Sequence, residues 1–232
     1  MLIDRRIFID MKRNVDMNQI SDGKFYEIND MVKAGCDGCS GCSQCCRGMG
    51  NSIVLDPLDI FRMIKGLGCT FEELLSKGVE LSVVDGIVLP NIKMNGNDEK
   101  CSFLNKEGRC SIHSFRPGIC RLFPLGRYYE NGKHKYFLQV YECPKQNKSK
   151  VKVKNWIDTP DIKKYEEYVD RWHYLLADLQ IIINNMSDDN MIRQVSMYVL
   201  QNFYLKQFDD TIEIYQQIGE RINDAYTNLV NV

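Results

Sequence analysis

The chain has 232 residues, of which 44% are hydrophobic and 26% are charged, and its formal net charge at pH 7 is −1. This composition is that of an ordinary globular protein, and a nearly neutral chain has no overall attraction to nucleic acid or to an anionic membrane surface. No apolar run approaches the roughly 20 residues that a membrane-spanning helix needs. Charged residues interrupt the apolar runs of MLIDRRIFIDMKRN, so we expect no secretory signal, no membrane partner and a cytoplasmic location.

Residues 1–30 show only weak patterning and are predicted to form an N-terminal arm. A loop with the sequence GCDGCSGCSQCCRG follows, and it contains Cys36, Cys39, Cys42, Cys45 and Cys46. In a reducing cytosol thiols are not expected to persist as structural disulfides, so metal binding is the usual explanation for such a group. The residues between these cysteines are small or polar, which favours a loop that wraps around an ion or cluster.

Two short helices are predicted after this loop. The first begins after Asp56, a typical N-cap that is followed by Pro57, and Gly66 is expected to end it. The second begins after Thr70, which has capping-box spacing to Glu73, and a glycine ends it as well.

Two turn signals predict extended chain that reverses direction. Asp85-Gly86 lies in VVDGIVLPNIKM, and Asn131-Gly132 lies between the aromatic-rich strands of GRYYENGKHKYFLQVYECP. Asn-Gly is a strong signal for the type I′ turn of a β-hairpin. The second hairpin leads directly to a further cysteine, so it can return a distant thiol to the others.

The cysteines after the first loop complete the candidate ligand set. The stretch from Cys101 to Cys110 is predicted to be a tight turn that hinges at Gly108. Cys69 stands alone in GLGCTFEEL and is expected to be structural. The candidate metal ligands are therefore Cys36, Cys39, Cys42, Cys45, Cys46, Cys101, Cys110, Cys120 and Cys143.

The rest of the chain is predicted to be helical after a connector. The lysine-rich stretch KQNKSKVKVKN contains no interleaved aromatic residues, which favours a solvated linker over a nucleic-acid-binding patch. Three amphipathic stripes follow, and the first contains Tyr165, Trp172 and Leu179. They predict a small bundle, a layer over the cysteine domain, or an interface with a protein partner or a second copy of the chain.

Together these elements predict an α+β fold that is mainly helical. Its expected parts are an arm at 1–30, an irregular cysteine-cluster metal-binding domain with short hairpins at 31–150, and a helical region at 151–232.

The cysteine pattern resembles that of a known family. CSGCSQCC fits the C-x2-C-x2-C-C signature of the zinc- or iron-chelating cysteine-cluster (CxxCxxCC) family, and CSFL, GRCSIH, RPGICRLFP and ECP follow in the family's order. The resemblance covers about residues 36–144 and implies that these cysteines bind zinc or an iron–sulfur centre. The cysteine pattern is also distantly similar to that of flagellin lysine-N-methylase. This similarity implies an alternative activity for the chain, as a methylase that depends on S-adenosylmethionine. Cys36 lies upstream of the minimal signature.

The spacing of the thiols favours an iron–sulfur centre over zinc. Structural zinc commonly takes two C-x2-C pairs that are separated by a longer spacer. Here the thiols form a continuous ladder that is closer to the ferredoxin run C-x2-C-x2-C-x3-C-P. One or two [4Fe-4S] clusters are therefore expected. A structural zinc module is the alternative, followed by copper or by redox thiols without metal.

Arginines accompany the candidate ligands. Arg116 and Arg121 lie on either side of Cys120, and together with Arg127 they are candidates for a cofactor- or anion-binding site. The competing interpretation is that Arg116 and Arg121 fix the loop that carries Cys120. Arginines beside the cysteines are also expected to lower the thiol pKa values.

The three histidines are expected to lie outside the ligand set. His113 has zinc-ligand spacing from Cys110, but with so many thiols available we expect it to hydrogen-bond a sulfur or a carbonyl. His134 is expected to be solvated, and His173 to lie at the margin of a helix.

The sequence leaves the question of enzymatic activity open. It contains no strand-linked GxGxxG, no Walker loop and no recognisable pair of nucleophile and base, so catalytic residues are not assigned. A binding module with a structural, redox or sensing role and an S-adenosylmethionine-dependent enzyme are both consistent with the motifs.

Overall fold

The computed structural model describes residues 16–36 and 42–231, and these residues form the mixed α+β fold that the sequence predicts. The described strands are β1 (Ser21–Tyr26), β2 (Met31–Gly35), β3 (Val79–Val84), β4 (Ile87–Ile92), β5 (Met94–Asn95), β6 (Lys100–Cys101), β7 (Leu125–Glu130), β8 (Lys133–Gln139) and β9 (Ser149–Lys152). The described α-helices are α1 (Met17–Ile20), α2 (Pro57–Leu67), α3 (Phe71–Lys77), α4 (Gly118–Leu122), α5 (Val153–Ile157), α6 (Ile162–Asn185), α7 (Asp189–Val199) and α8 (Ile214–Ala225).

Short 3-10 turns at Gln44–Cys46 and His113–Phe115 and π-helical turns at Leu200–Leu205 and Tyr226–Val230 complete the regular structure of the described residues. Among the described helices, none combines the length and the apolar composition that crossing a bilayer requires.

The strands form four small antiparallel sheets, and two of these join distant parts of the chain. β1 pairs with β8 in the three-stranded sheet β1-β8-β7, and β2 pairs with β9. The other two sheets are the local pairs β3-β4 and β5-β6. The pairing of β2 with β9 fixes the chain at both ends of the cysteine-containing segment. The division of the chain into three parts stays a prediction.

The lysine-rich stretch is not the solvated linker that the sequence predicted. It contains β9, in which Val151 pairs with Val32, and it leads into α5 at the fully buried Val153. Lys150 and Lys152 are exposed, whereas the valines between and after them contact the core. This alternation is the period of a strand with one face in water, and the number of lysines obscured it.

Both predicted reversals are confirmed as tight hairpins. Asp85 and Gly86 connect β3 to β4 with φ values of 50° and 85°. Asn131 and Gly132 connect β7 to β8 with φ values of 51° and 79°. Left-handed backbone at both central positions is typical of the type I′ turn, which suits the twist of the flanking strands.

The predicted starts of α2 and α3 are confirmed, but the predicted end of α2 is wrong. Asp56 and Thr70 are N-caps with complete capping boxes. α2 continues past Gly66 and ends at Gly68, which has left-handed backbone with a φ of 61°. Glycine at position 66 allows close packing instead of ending the helix, because a Cβ atom there would lie 2.4 Å from the ring of Phe115.

The C-terminal helices pack on the rest of the chain through one continuous hydrophobic core. In α6 the predicted stripe is buried, with Trp172 packed on Phe203 at a ring-centroid distance of 4.8 Å. The hydroxyl of Tyr204 donates a hydrogen bond of 3.0 Å to the carbonyl of Leu55, just before α2. The helices therefore form a layer against the cysteine-containing segment, and their use as a dimer interface stays a prediction.

Candidate metal centre

Six of the predicted ligands line one cavity of about 550 Å³. They are Cys42, Cys45, Cys46, Cys101, Cys110 and Cys120. These thiols come from three segments of the chain: the loop before α2, β6 with the turn that follows it, and α4. The fold therefore brings together residues that are separated by up to about a third of the sequence.

The first segment is fixed by backbone contacts with the strand that carries Cys101. Cys45 and Cys46 lie in a single 3-10 turn. Directly after it, Arg47 forms an isolated β-bridge with Lys100, and the N–H of Gly48 donates to the carbonyl of Glu99 at 3.0 Å. The thiols of this loop are thereby held beside β6.

The second segment is the tight turn that the sequence predicted between Cys101 and Cys110. Cys110 forms a β-bridge with Leu104, and Gly108 has a φ of 70° within the turn. The N–H of Asn105 donates to the carbonyl of Arg109 at 2.9 Å, which closes the turn. Both cysteines are half-buried and face the same cavity.

The third segment is α4, and a carboxylate from α2 positions it. The N–H of Gly118 at the start of α4 donates to Oδ1 of Asp59 at 2.7 Å. Asp59 is buried, and burial together with the neighbouring charge of Asp56 raises the pKa of its carboxyl group to about 8. Asp59 therefore links the long-range packing of α2 to the position of Cys120.

The two arginines beside Cys120 have different surroundings. The guanidinium group of Arg121 donates to backbone carbonyls, including Asp158 at 3.0 Å and Arg116 at 3.2 Å, and Arg121 does not line the cavity. Arg116 lines the cavity, and its Nε is buried without a hydrogen-bond partner among the described residues. The contacts of Arg121 support the loop-fixing interpretation, whereas Arg116 faces the thiols.

Of the remaining three candidates, the two that the structure describes, Cys36 and Cys143, do not line the cavity. Cys39 lies outside the described residues, and Cys36 is buried directly after β2. Cys143 flanks the site: Glu142 lines the main cavity, and Pro144 lines a second surface depression together with Cys42.

The four thiols of Cys45, Cys101, Cys110 and Cys120 are close enough to influence one another electrostatically. A hydrogen bond with Cys46 and burial raise the pKa of Cys45. Burial also raises the pKa values of the other three, most strongly that of Cys120, on which nearby thiolates act in the same direction.

The expected lowering by arginine is present at two of these thiols, but the net shift of all four pKa values is upward. Arg116 does lower the pKa values of Cys45 and Cys110, but burial and the neighbouring thiols outweigh it. Thiolates are the form that binds metal, and the positive charge of a metal ion is what stabilises them in a buried group of this kind.

The geometry of the thiols is relevant to the kind of centre. Among the described residues, no three Cys, His, Asp or Glu side chains are grouped closely enough to ligate a single ion. Four sulfurs around one tetrahedral zinc lie about 3.8 Å apart, because each Zn–S bond is about 2.3 Å long. The described thiols line the wall of one cavity and do not form such a group.

Two of the histidines, His113 and His134, differ from their predicted environments, whereas His173 is half-buried on α6. His113 is exposed and contacts the guanidinium group of Arg116 instead of a sulfur or a carbonyl, and burial and nearby arginines lower its pKa. His134 is not solvated: its side chain is 1% exposed, and Nδ1 lies 2.5 Å from Asp170. The reason is that α6 packs over the β7-β8 hairpin, a long-range contact that local polarity did not indicate.

Two residues near the site were not expected from the sequence. Asp59 lies in the first turn of α2, where an acidic residue is common, and the neighbouring residues do not indicate its hydrogen bond with the distant Gly118. Trp156 lines the cavity, and its Nε1 donates to the carbonyls of Leu122 and Phe123 at 3.2 Å each.

Comparison with known families gives one match. Residues 38–144 match the CxxCxxCC family, which is described as a putative zinc- or iron-chelating domain. The matched range includes every candidate ligand except Cys36 and supports metal binding by this segment. No curated protein and no solved structure matches the chain, and the similarity to flagellin lysine-N-methylase is not shown.

Proposed function

We propose that this protein holds an iron–sulfur centre of the [4Fe-4S] type in the cavity that the six cysteines line. The observation that carries the proposal is the convergence of thiols from three separate segments on one cavity. A group bound there ties the loop before α2, the turn after β6 and α4 to one another. The centre therefore has a structural role, and it is also suited to a redox or sensing role.

The first four ligands in this proposal are Cys45, Cys101, Cys110 and Cys120. Each segment contributes at least one of them, and their charges act on one another. When bound, a [4Fe-4S] cluster with four thiolate ligands supplies one-electron chemistry at a potential that the surrounding charges and hydrogen bonds tune. Arg116 is the cationic side chain that faces these thiols, and Arg121 holds the backbone around Cys120 in place.

The remaining thiols are candidates for accessory ligands or for a second centre. Cys42 lines both the main cavity and the surface depression next to Cys143. Cys36 and Cys39 precede it on the same loop. The total number of cysteines is therefore sufficient for two clusters, and we assign one of them to the cavity.

Two observations favour a cluster over a single zinc ion. The described thiols surround a cavity and do not meet at one point. In addition, the three-residue ladder of the first segment is closer to ferredoxin spacing than to paired zinc knuckles.

The proposal is tested by purifying the full chain without oxygen and measuring iron, acid-labile sulfide and zinc per protein. We expect iron and sulfide in equal amounts, together with broad visible absorption that reduction by dithionite bleaches. A colourless protein that contains only zinc would contradict the iron–sulfur assignment and leave the zinc module. A protein without bound metal would contradict both.

A further inference from the structure

The cavity is larger than the part that the cysteines line. Beyond the thiols it extends along β7 and α6, where Arg127, Tyr129 and Leu176 form part of its wall. Apolar side chains line much of the remaining surface, among them Leu89 and Leu125. Its volume lies within the range of roughly 300–1,000 Å³ that is typical of small-molecule sites.

Arg127 is a half-buried cation in this part of the cavity wall. One of its Nη atoms donates to the hydroxyl of Tyr165 at 2.7 Å, and the guanidinium carbon lies 5.4 Å from the centre of that ring. Its Nε is buried and has no hydrogen-bond partner among the described residues. A buried donor of this kind calls for a partner that the fold itself does not supply.

The charge of Arg127 also has no direct ion-pair partner. Burial raises the pKa values of Asp56 and Glu166, and the charge of Arg127 opposes this rise, but among the described residues no carboxylate oxygen lies within the 4.0 Å of an ion pair with Arg127. The Tyr165 hydroxyl that accepts from Arg127 lies against Gly118 at the start of α4. Arg127 therefore meets the cavity close to α4, on the side of Tyr165 and β7.

We infer that this part of the cavity binds an organic carboxylate with an apolar body, with Arg127 on the carboxylate and the apolar wall around the body. A guanidinium group matches the planar carboxylate and forms charge-assisted hydrogen bonds with it. The ligand extends from Arg127 towards the cysteines. This inference goes beyond the metal centre, because it requires only Arg127 and the apolar wall.

The test is calorimetric titration of the anaerobically purified full chain with octanoate and, as a neutral probe of the same chain length, with 1-octanol. We expect octanoate to bind at least tenfold more tightly than octanol. Arg127→Gln is expected to remove this preference, because it removes the charge and leaves the apolar wall in place.

Arg62→Gln is the matched control. Arg62 lies 6.0 Å from the same Tyr165 ring, but it does not line the cavity, so this variant is expected to keep the preference for octanoate. If Arg127→Gln fails to fold, Arg127→Lys replaces it, since it keeps a positive charge but loses the Nε donor and is expected to reduce octanoate affinity several-fold.

Three results would overturn the inference: no binding of octanoate, equal affinity for octanoate and octanol, or equal losses in the Arg127 and Arg62 variants. Metal content is measured on the same preparations. If the unmodified chain contains metal but shows no preference for octanoate, the result would count only against the carboxylate site. If the unmodified chain prefers octanoate but contains no metal, the result would count only against the metal centre.

Discussion

The C-terminal helical layer and the cysteine segment are stabilised in different ways. In α6 the inward side chains are apolar and buried, and Leu175 and Leu179 are completely inaccessible to solvent. In the cysteine segment the thiols are half-buried, and the turns that carry them are fixed by backbone hydrogen bonds and by Asp59. The helical layer is therefore stabilised by its own apolar contacts, whereas we expect a bound group to add to the stability of the cysteine segment by joining its three parts.

The largest expected effect comes from removing a ligand. Cys120→Ser and Cys45→Ser are each predicted to lose metal and to destabilise the fold severely, since structural metal binding contributes on the order of 10 kcal/mol to folding. Metal analysis and thermal unfolding under anaerobic conditions measure both effects.

Cys69→Ser is the matched control for these two variants. Cys69 is buried in the hydrophobic core and does not line the cavity, so this variant is expected to keep its metal. If Cys69→Ser alone emptied the site, the assignment of the thiols to structural and ligating groups would be wrong.

In the helical layer a substitution is expected to lower stability strongly without removing metal. Trp172→Ala removes a buried indole that packs on Phe203 and should lower the free energy of unfolding by about 3–5 kcal/mol. The metal content per folded molecule should not change, because Trp172 contributes to packing and not to ligation. Urea denaturation followed by circular dichroism gives the first value, and metal analysis gives the second. Metal loss in the folded variant would show that the two regions are not separable.

The link between α2 and α4 within the cysteine segment is expected to be pH-dependent through Asp59. Its folded-state pKa of about 8 lies above that of an unfolded aspartate, so the folded chain keeps a proton that the unfolded chain releases. The free energy of unfolding should therefore decrease as the pH rises between about 4 and 8, by at most about 1.4 kcal/mol per pH unit. Above the folded-state pKa this contribution is constant again.

Asp59→Asn is expected to reduce this slope, because asparagine imitates the protonated carboxyl group, while Asp56, whose pKa burial also raises, keeps a contribution of the same sign. Denaturation of both proteins at several pH values between 5 and 9 measures the difference between them. Parallel stability profiles for the two proteins would contradict the role assigned to this carboxyl group.

The smallest effect is expected at a helix cap far from the thiols. Thr70 Oγ1 accepts a hydrogen bond of 3.2 Å from the N–H of Glu73, so Thr70→Ala should lower the free energy of unfolding by about 1 kcal/mol. Thr70→Ser keeps the acceptor and should retain most of the stability. Neither change should alter the metal content, and a loss of metal in Thr70→Ala would extend the metal-dependent region into α3.

The features that the sequence predicted well depend on neighbouring residues. The caps at Asp56 and Thr70 and the turns at Asp85-Gly86 and Asn131-Gly132 are local, and the stripe of α6 follows from its own periodicity.

The features that it missed depend on distant contacts. Gly66 remains inside α2 because Phe115 packs on it, and His134 is buried because α6 covers its hairpin. The cavity itself depends on the meeting of three segments, so spacing could identify thiols as candidates but not show which of them share it.

The central claim is that thiols from three segments ligate one cluster, and X-ray absorption spectroscopy of the anaerobic protein tests it most directly. The account predicts an iron absorption edge, a first shell of sulfur neighbours and a second shell from a nearby iron atom. Zinc without a neighbouring metal, or iron surrounded by nitrogen and oxygen, would contradict it.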